Sequence, residues 1–429
     1  MSKPRSVIVV GGGIVGSCAA LAIARAGLGV RHVAPDDPEP ASWGNAGHLA
    51  TEHVEPLASL KLVRTLPRRL FSRGGPVAFV PRDVAAWLPW SLRLLAASAP
   101  GRFRAGTAAL ATLTADAIPA WRRLLGPDAD ALIREQGHLV VWEGRDAQER
   151  GMAALARSAT GATTYAPAGA RDRAALATQL QLTAFGAARF TGTGQVTDPG
   201  LLLRRVRRFA DEAGVERIAR HARSVQGGAR PGVVLDDGTR IAADAVLVAA
   251  GVWSAPLLRA AGIPAPLIAE RGYHVGFDRP GWPMDLPPLV LDDRAVVVTR
   301  FGDRMRATSF VEFGRPQTPP DPRKWDRLEH HLREVGLLDG GCVTRWMGCR
   351  PTLPDYLPGI GGDEVAGLYY AVGHAHLGLT LAARTGEIVR DMIAGQAPPP
   401  PIFALARFGA IRRSNTAAEH PLPAGDPQQ

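Results

Sequence analysis

The sequence predicts an α/β protein: a Rossmann-like nucleotide-binding domain interleaved with an α+β domain built on a mainly antiparallel sheet. Three observations predict this. The chain opens on a short apolar strand, a glycine-rich loop and a helix of small residues. A β-rich stretch with turn signals fills the middle, and a second strand–helix unit follows near residues 368–395.

Residues 6–10 (SVIVV) read as a buried parallel strand. Gly11, Gly13 and Gly16 then form GxGxxG, with Ile14 and Val15 opening the helix. The first glycine permits the tight turn and the second lets the backbone approach a pyrophosphate. The third lets helix and strand pack closely, and the helix N-terminus favours the phosphates. The second strand, 29–33, should end on an acid that holds the ribose. Here Val33 is followed by Ala34 and Pro35. Asp36 or Asp37 is the candidate substitute, or a backbone group with water. The loop alone does not choose between NAD and FAD.

Residues 57–125 carry helical periods broken by Pro and Gly. HLVVW (138–142) reads as a strand, followed by helical stretches near 147–157 and 172–181. Thr197 or Asp198 caps a helix with Pro199 in its first turn. Leu202, Val206, Phe209 and Ala213 share one face of it, and the arginines 204, 205, 207 and 208 read as a solvated face. Strands are expected at 271–278, 289–291, 295–301 and 304–313, in one antiparallel sheet. The expected nucleotide domain is 1–56, 190–265 and 343–396. The second domain is 57–189 and 266–342, with a loose tail at 397–429.

The 429 residues hold 50 Lys+Arg and 40 Asp+Glu, a net charge of +10. No Lys/Arg-and-aromatic nucleic-acid motif appears, so no nucleic-acid partner is expected. Three cysteines argue against a disulfide framework. No apolar signal segment precedes the first strand, and the most apolar stretch (85–99) is interrupted by Pro89 and Arg93. The expected location is cytoplasmic, or peripheral on the inner face of a membrane through the Arg- and Trp-bearing segment 64–93.

Four stretches together resemble the FAD-dependent D-amino-acid oxidoreductase superfamily, most closely its bacterial D-amino-acid dehydrogenases. They are the glycine loop; ASWGNAGHLA (41–50); ADAVLVAAGVWS (243–254) with ERGYHV (270–275); and WMGCRPTLPDYLPGIG (346–361) with YYAVGHAHLGLT (369–380). The resemblance implies FAD, held non-covalently, by the glycine loop, Ser42, Asn45, Ala46, Gly47, Ala250, Gly251 and Trp253, with Asp36 the candidate at the ribose where Ala34 departs from the family. It extends that set to Gly373, His374, His376, Leu377, Gly378, Leu379 and Thr380. It implies that Arg350 pairs with the substrate carboxylate, which suits a planar, permanently charged guanidinium. Tyr273 and His274 border the substrate side, where Tyr273 bonds carboxylate or amine or else packs in the core. His48 faces the active site or solvent.

In the related sarcosine-oxidase group a Cys in a comparable segment carries the flavin. Cys349 directly precedes Arg350 and does not match that spacing. His374 and His376 have metal-like spacing, but nothing completes a set, so no metal is expected. The implied reaction is hydride transfer from the Cα of a D-amino acid, such as D-proline or a hydroxy-D-proline, to flavin N5. Electrons then pass to a quinone or other acceptor. The alternatives are a glycine/sarcosine-type oxidase using O2, and an NAD-binding or non-catalytic module.

Overall fold

The computed structural model describes residues 4–36, 40–182, 185–341, 343–398 and 400–410. Asp37 and residues 411–429 lie outside the described residues, so the ribose role weighed for Asp37 falls there too.

Two large sheets carry the fold. The first has six strands, in the order Glu216–Ile218, Gly29–Val33, Ser6–Val10, Ala245–Val248, Leu368–Val372, Gly359–Asp363. Its pairings are parallel except the last. The central strands are apolar along their length because helices or chain cover both faces. The first helix, Ile14–Arg25, packs on the closing helix, Gly378–Ile393. Gly386 allows the approach, since a Cβ there would lie 2.9 Å from the Cys18 carbonyl oxygen.

The second sheet has nine strands. Thr344–Thr352, Ile268–Asp278, Arg304–Gly314 and Val296–Phe301 run antiparallel in that order. Leu289–Leu291, His138–Trp142, Gly186–Thr191 and Thr164–Pro167 continue it, and Val77–Phe79 pairs beside Arg304–Gly314. Its far face is covered by the helix Pro322–Glu334, with Leu328 and Leu332 in the core.

The strands expected between 271 and 313 thus share one sheet, but that sheet is wider than the sequence suggested. The strand Thr344–Thr352, expected in the nucleotide domain, hydrogen-bonds along Ile268–Asp278 at the edge of the second sheet. The described part of the expected loose tail is also docked. Phe403 and Leu405 are buried, Leu405 N–H donates to the Tyr370 hydroxyl at 2.9 Å, and Arg407 pairs with Asp355 at 2.6 Å. Its apolar pair supplies burial that a Pro-rich composition did not advertise.

Candidate active site

The glycine loop rests on approaches that only glycine allows. Gly11 has φ +121°, and a Cβ there would fall 2.3 Å from the Ala249 carbonyl oxygen. A Cβ at Gly16 would lie 1.9 Å from the Gly11 oxygen. The loop therefore packs on the turn holding Ala250 and Gly251. Gly13 is the N-cap of the first helix, ahead of Ile14 and Val15, and Ser42 Oγ accepts from Ile14 N–H at 3.1 Å. This helix end suits a pyrophosphate. Trp253, two residues after Gly251, is half-exposed.

Beyond the loop, a cavity of about 260 Å³ is lined by Gly12, His32, Ala34, Asp36, Arg207 and Arg217, among others. It sits at the end of the second strand, where a dinucleotide's ribose lies in this fold. Two arginines stand near where a carboxylate is usual. Arg207 donates to the Gly12 oxygen at 2.6 Å, and Arg217 lies 3.7 Å from Asp36. The Asp36 carboxylate is 76% exposed. The reading of 204–208 as a solvated face is corrected at Arg207. Its helix, Pro199–Glu212, packs beside the first helix and brings that guanidinium to the loop. Loop, helix end and cavity together fit the ADP half of FAD.

The segment 42–47 is held from the second sheet. Arg306 donates to the carbonyls of Trp43 (2.9 Å) and Asn45 (2.7 Å), and His274 Nδ1 donates to that of Gly44 (3.0 Å). Asn45 Oδ1 accepts from Gly47 N–H at 2.7 Å, turning the chain at Ala46. Gly47 has φ +75° and abuts the Phe301 ring. His274 thus positions the loop. Burial, with the Arg306 charge, lowers its pKa to about 3.

Side chains alternate along Ile268–Asp278, so Glu270, Gly272 and His274 face the loop and Arg271 and Tyr273 face away. The register sets Glu270 against Arg350, Gly272 against Gly348, and His274 against Trp346. Arg350 donates to Glu270 Oε1 at 3.1 Å and lies over Gly272, where a Cβ would be 2.3 Å from its Nη2. The Trp346 ring stacks on His274 and covers Gly44 and Gly348. Tyr273 is a correction to the sequence reading. Its hydroxyl donates to Glu312 at 2.6 Å on the opposite face, and burial raises its pKa. Cys349 shares that face, and burial pushes its thiol up to about 11.

The strand of Arg350 meets the GHAHLG loop through a bridge between Thr352 and His374. Gly373 turns that loop at φ +73°. His374 Nε2 lies 3.0 Å from Thr385 Oγ, inside the closing helix. Leu377 and Leu379 are core residues, with the Leu379 oxygen accepting from Trp121. No side chain caps the closing helix at Gly378. Thr380 Oγ accepts from Ala50 N–H at 3.0 Å and ties the helix to the 42–50 segment.

His376 approaches His53, ring centroids 5.1 Å apart, and its Nδ1 is buried without a protein partner. His53 lies 3.5 Å and His48 2.9 Å from Glu52 Oε1, and His48 meets His138 edge-on. Burial would raise the Glu52 carboxyl, but the His48 and His53 imidazoles hold it below the usual range. No metal was expected. Among the described residues, His48, Glu52 and His138 do bring ligand-type atoms within 4.8 Å of one another.

Sequence reasoning missed Glu52, His53, His138, Arg207, Glu270, Arg306 and Trp346. Glu52 and His53 lay just past a quoted motif. The others meet the site only through sheet register or helix packing.

A D-amino-acid oxidase of Bradyrhizobium diazoefficiens is 29% identical over 95% of this chain and 100% of its own. A D-amino acid dehydrogenase of Cereibacter sphaeroides is 30% identical over 91% of this chain and 92% of its own. Two solved structures share the fold. Iminodiacetate oxidase from Chelativorans gives a TM-score of 0.68 at 22% identity, covering 92% of this chain and 96% of that one. Glycine oxidase from Geobacillus kaustophilus gives 0.67 at 20%, covering 95% and 99%. The family model for FAD dependent oxidoreductases (DAO) matches residues 6–392, and the chain belongs to that family.

Proposed function

We propose that this FAD-dependent oxidoreductase oxidises the Cα–N bond of a D-amino acid, D-proline or a hydroxy-D-proline among the candidates, and works as a dehydrogenase. The observation that carries the proposal is Arg350, fixed by buried Glu270 on the sheet face that meets both the 42–47 segment and the GHAHLG loop. A guanidinium already oriented by one carboxylate is suited to bind a second, that of the substrate. The small faces of Gly272 and Gly348 let the Arg350 guanidinium and the Trp346 ring lie close to the sheet. Trp346 stacks on His274 further along the same face. When bound, FAD supplies the acceptor for the hydride leaving Cα. The chain supplies orientation: a carboxylate clamp, a rigid loop and helix-end N–H groups beside developing negative charge. The imino acid from a primary amino acid is hydrolysed by water to a 2-oxo acid and ammonia, whereas D-proline or a hydroxy-D-proline gives a cyclic imine that retains its nitrogen.

In this proposal residues 1–56, 190–265 and the part of 343–396 after Thr352 hold FAD, and the second sheet with 57–189 and 266–342 holds substrate. The D-preference draws on the names of the relatives above. Electrons pass on to a quinone or other acceptor. The glycine oxidase likeness keeps an oxidase as the second reading. Turnover of paired D- and L-amino acids with an artificial acceptor, alongside hydrogen peroxide release in air, tests both. D-selective dye reduction with little peroxide is expected. Peroxide at the rate of turnover supports the oxidase instead.

A further inference from the structure

The segment 57–95 is unlike the rest of the surface. Six of the eleven exposed large apolar side chains among the described residues fall in it: Leu57, Leu60, Val84, Leu88, Leu92 and Leu95. Four of these recur at helical spacing along Val84–Ala97 and form one outward stripe, of which Leu92 is 59% exposed. The opposite side of the same helix is apolar too, and it is buried. Trp90 and Leu94 pack on Phe313 and Tyr356, and Trp90 Nε1 donates to the Thr352 carbonyl at 3.1 Å. The helix is therefore fixed to the strand that carries Arg350, with its leucine stripe turned outward.

The charge around this stripe is one-sided. Lys61, Arg64, Arg68, Arg69, Arg73, Arg82 and Arg93 are all exposed, and none forms an ion pair among the described residues. The segment holds one acid, Asp83. It is buried and accepts from Arg315 N–H and the Thr318 hydroxyl, so it does not neutralise the surface. The adjoining helix, Leu60–Arg69, has no fully buried residue; Leu62, Val63 and Leu66 rest on the Trp90 cluster and its cations face out. No helix among the described residues is long and apolar enough to cross a membrane.

We propose that the outward face of residues 57–95 docks on an anionic lipid bilayer, with Leu88, Leu92 and Leu95 entering the headgroup boundary and the seven cations meeting lipid phosphates. An apolar stripe ringed by unpaired cations fits that surface, because insertion and electrostatic attraction add. A second copy of this chain would bring two basic faces together. Nucleic acid would leave the leucines uncovered. The consequence, which rests on the oxidoreductase reading, is that electrons leave to an acceptor dissolved in the membrane.

The test uses the FAD-loaded protein with vesicles of phosphatidylcholine alone or mixed with phosphatidylglycerol, sedimented at low and high ionic strength. Binding to the anionic vesicles and release by salt are expected. Arg64→Gln, Arg68→Gln and Arg69→Gln together should weaken it on the order of a hundredfold. Leu88→Asp with Leu92→Asp should weaken it by at least about tenfold, with unchanged flavin content and unchanged turnover with a soluble dye. Turnover with a quinone carried in the vesicles should fall with the same variants. No binding to anionic vesicles at low ionic strength overturns the proposal. So does full binding by the double Asp variant, or a dimer in solution that this variant breaks. A dye assay without activity would instead count against the oxidoreductase reading and leave the vesicle result standing.

Discussion

Arg350 and Glu270 face each other on adjacent strands, 3.1 Å apart, with Glu270 almost fully buried and Arg350 partly open. The Thr352 hydroxyl also donates to Glu270 at 3.2 Å. A buried carboxylate held this way is a fixed socket, and the guanidinium it orients keeps donors for a second anion.

Arg350→Ala should raise KM for the amino acid by about 10- to 100-fold, the range of a charged hydrogen-bond pair. Bound flavin and its spectrum should persist, because Arg350 lies on the sheet face and not in the glycine loop. Steady-state kinetics with an absorbance scan checks both. An unchanged KM removes Arg350 as the clamp.

Arg207→Ala should weaken FAD retention by about tenfold, the worth of one charge-assisted contact. The residue holds the Gly12 carbonyl and lines the ribose-side cavity. The dissociation constant, from quenching of flavin fluorescence as apoprotein takes up FAD, measures it. Asp36→Ala should change that constant less than twofold if the exposed Asp36 carboxylate does not serve the ribose.

Tyr273→Phe distinguishes a substrate contact from a core one. The hydroxyl donates to Glu312 and accepts from Asp321 N–H on the far side of the sheet. Its loss should cost about 1–3 kcal/mol of stability and leave KM near the parent value. A large rise in KM with unchanged stability would return Tyr273 to the substrate side.

Burial lowers His32 and His374 to about 4, and His138 and His274 to about 3. Each is neutral in the fold and binds a proton below pH 6.5 when unfolded. Between pH 6.5 and the folded values the unfolded chain holds more protons, so stability falls as pH falls. The slope is about 1.4 kcal/mol per pH unit for each histidine. Denaturant midpoints should therefore be flat in these groups above pH 7 and drop steeply towards pH 5. A level profile across that range contradicts their burial as neutral groups.

The glycine loop, the 42–47 segment and the GHAHLG loop were legible in the sequence because each works through local backbone geometry. Arg350 was singled out because its Pro-flanked motif resembles the family's. Glu270 was not, since its partnership depends on which residue the next strand sets opposite. Tyr273 and His274 are neighbours in the chain, yet the pleat sends them to opposite faces, and sequence alone did not say which face held the site. Arg207 sits in a run of arginines that helical spacing assigns to solvent. Only the packing of two helices brings it to Gly12. Glu52 and His53 are neighbours in the chain, but His138 reaches them from a distant strand, so their cluster has no linear signature.

The most direct measurement is an anaerobic titration of the purified, FAD-loaded protein with matched D- and L-amino acids, followed in the visible flavin bands. Stoichiometric bleaching by a D-amino acid, with its L-isomer much slower, is the predicted result, and Arg350→Ala should need far more substrate to reach it. A flavin that stays oxidised with every amino acid, or bleaches equally in parent and Arg350→Ala protein, would contradict amino-acid oxidation at this site.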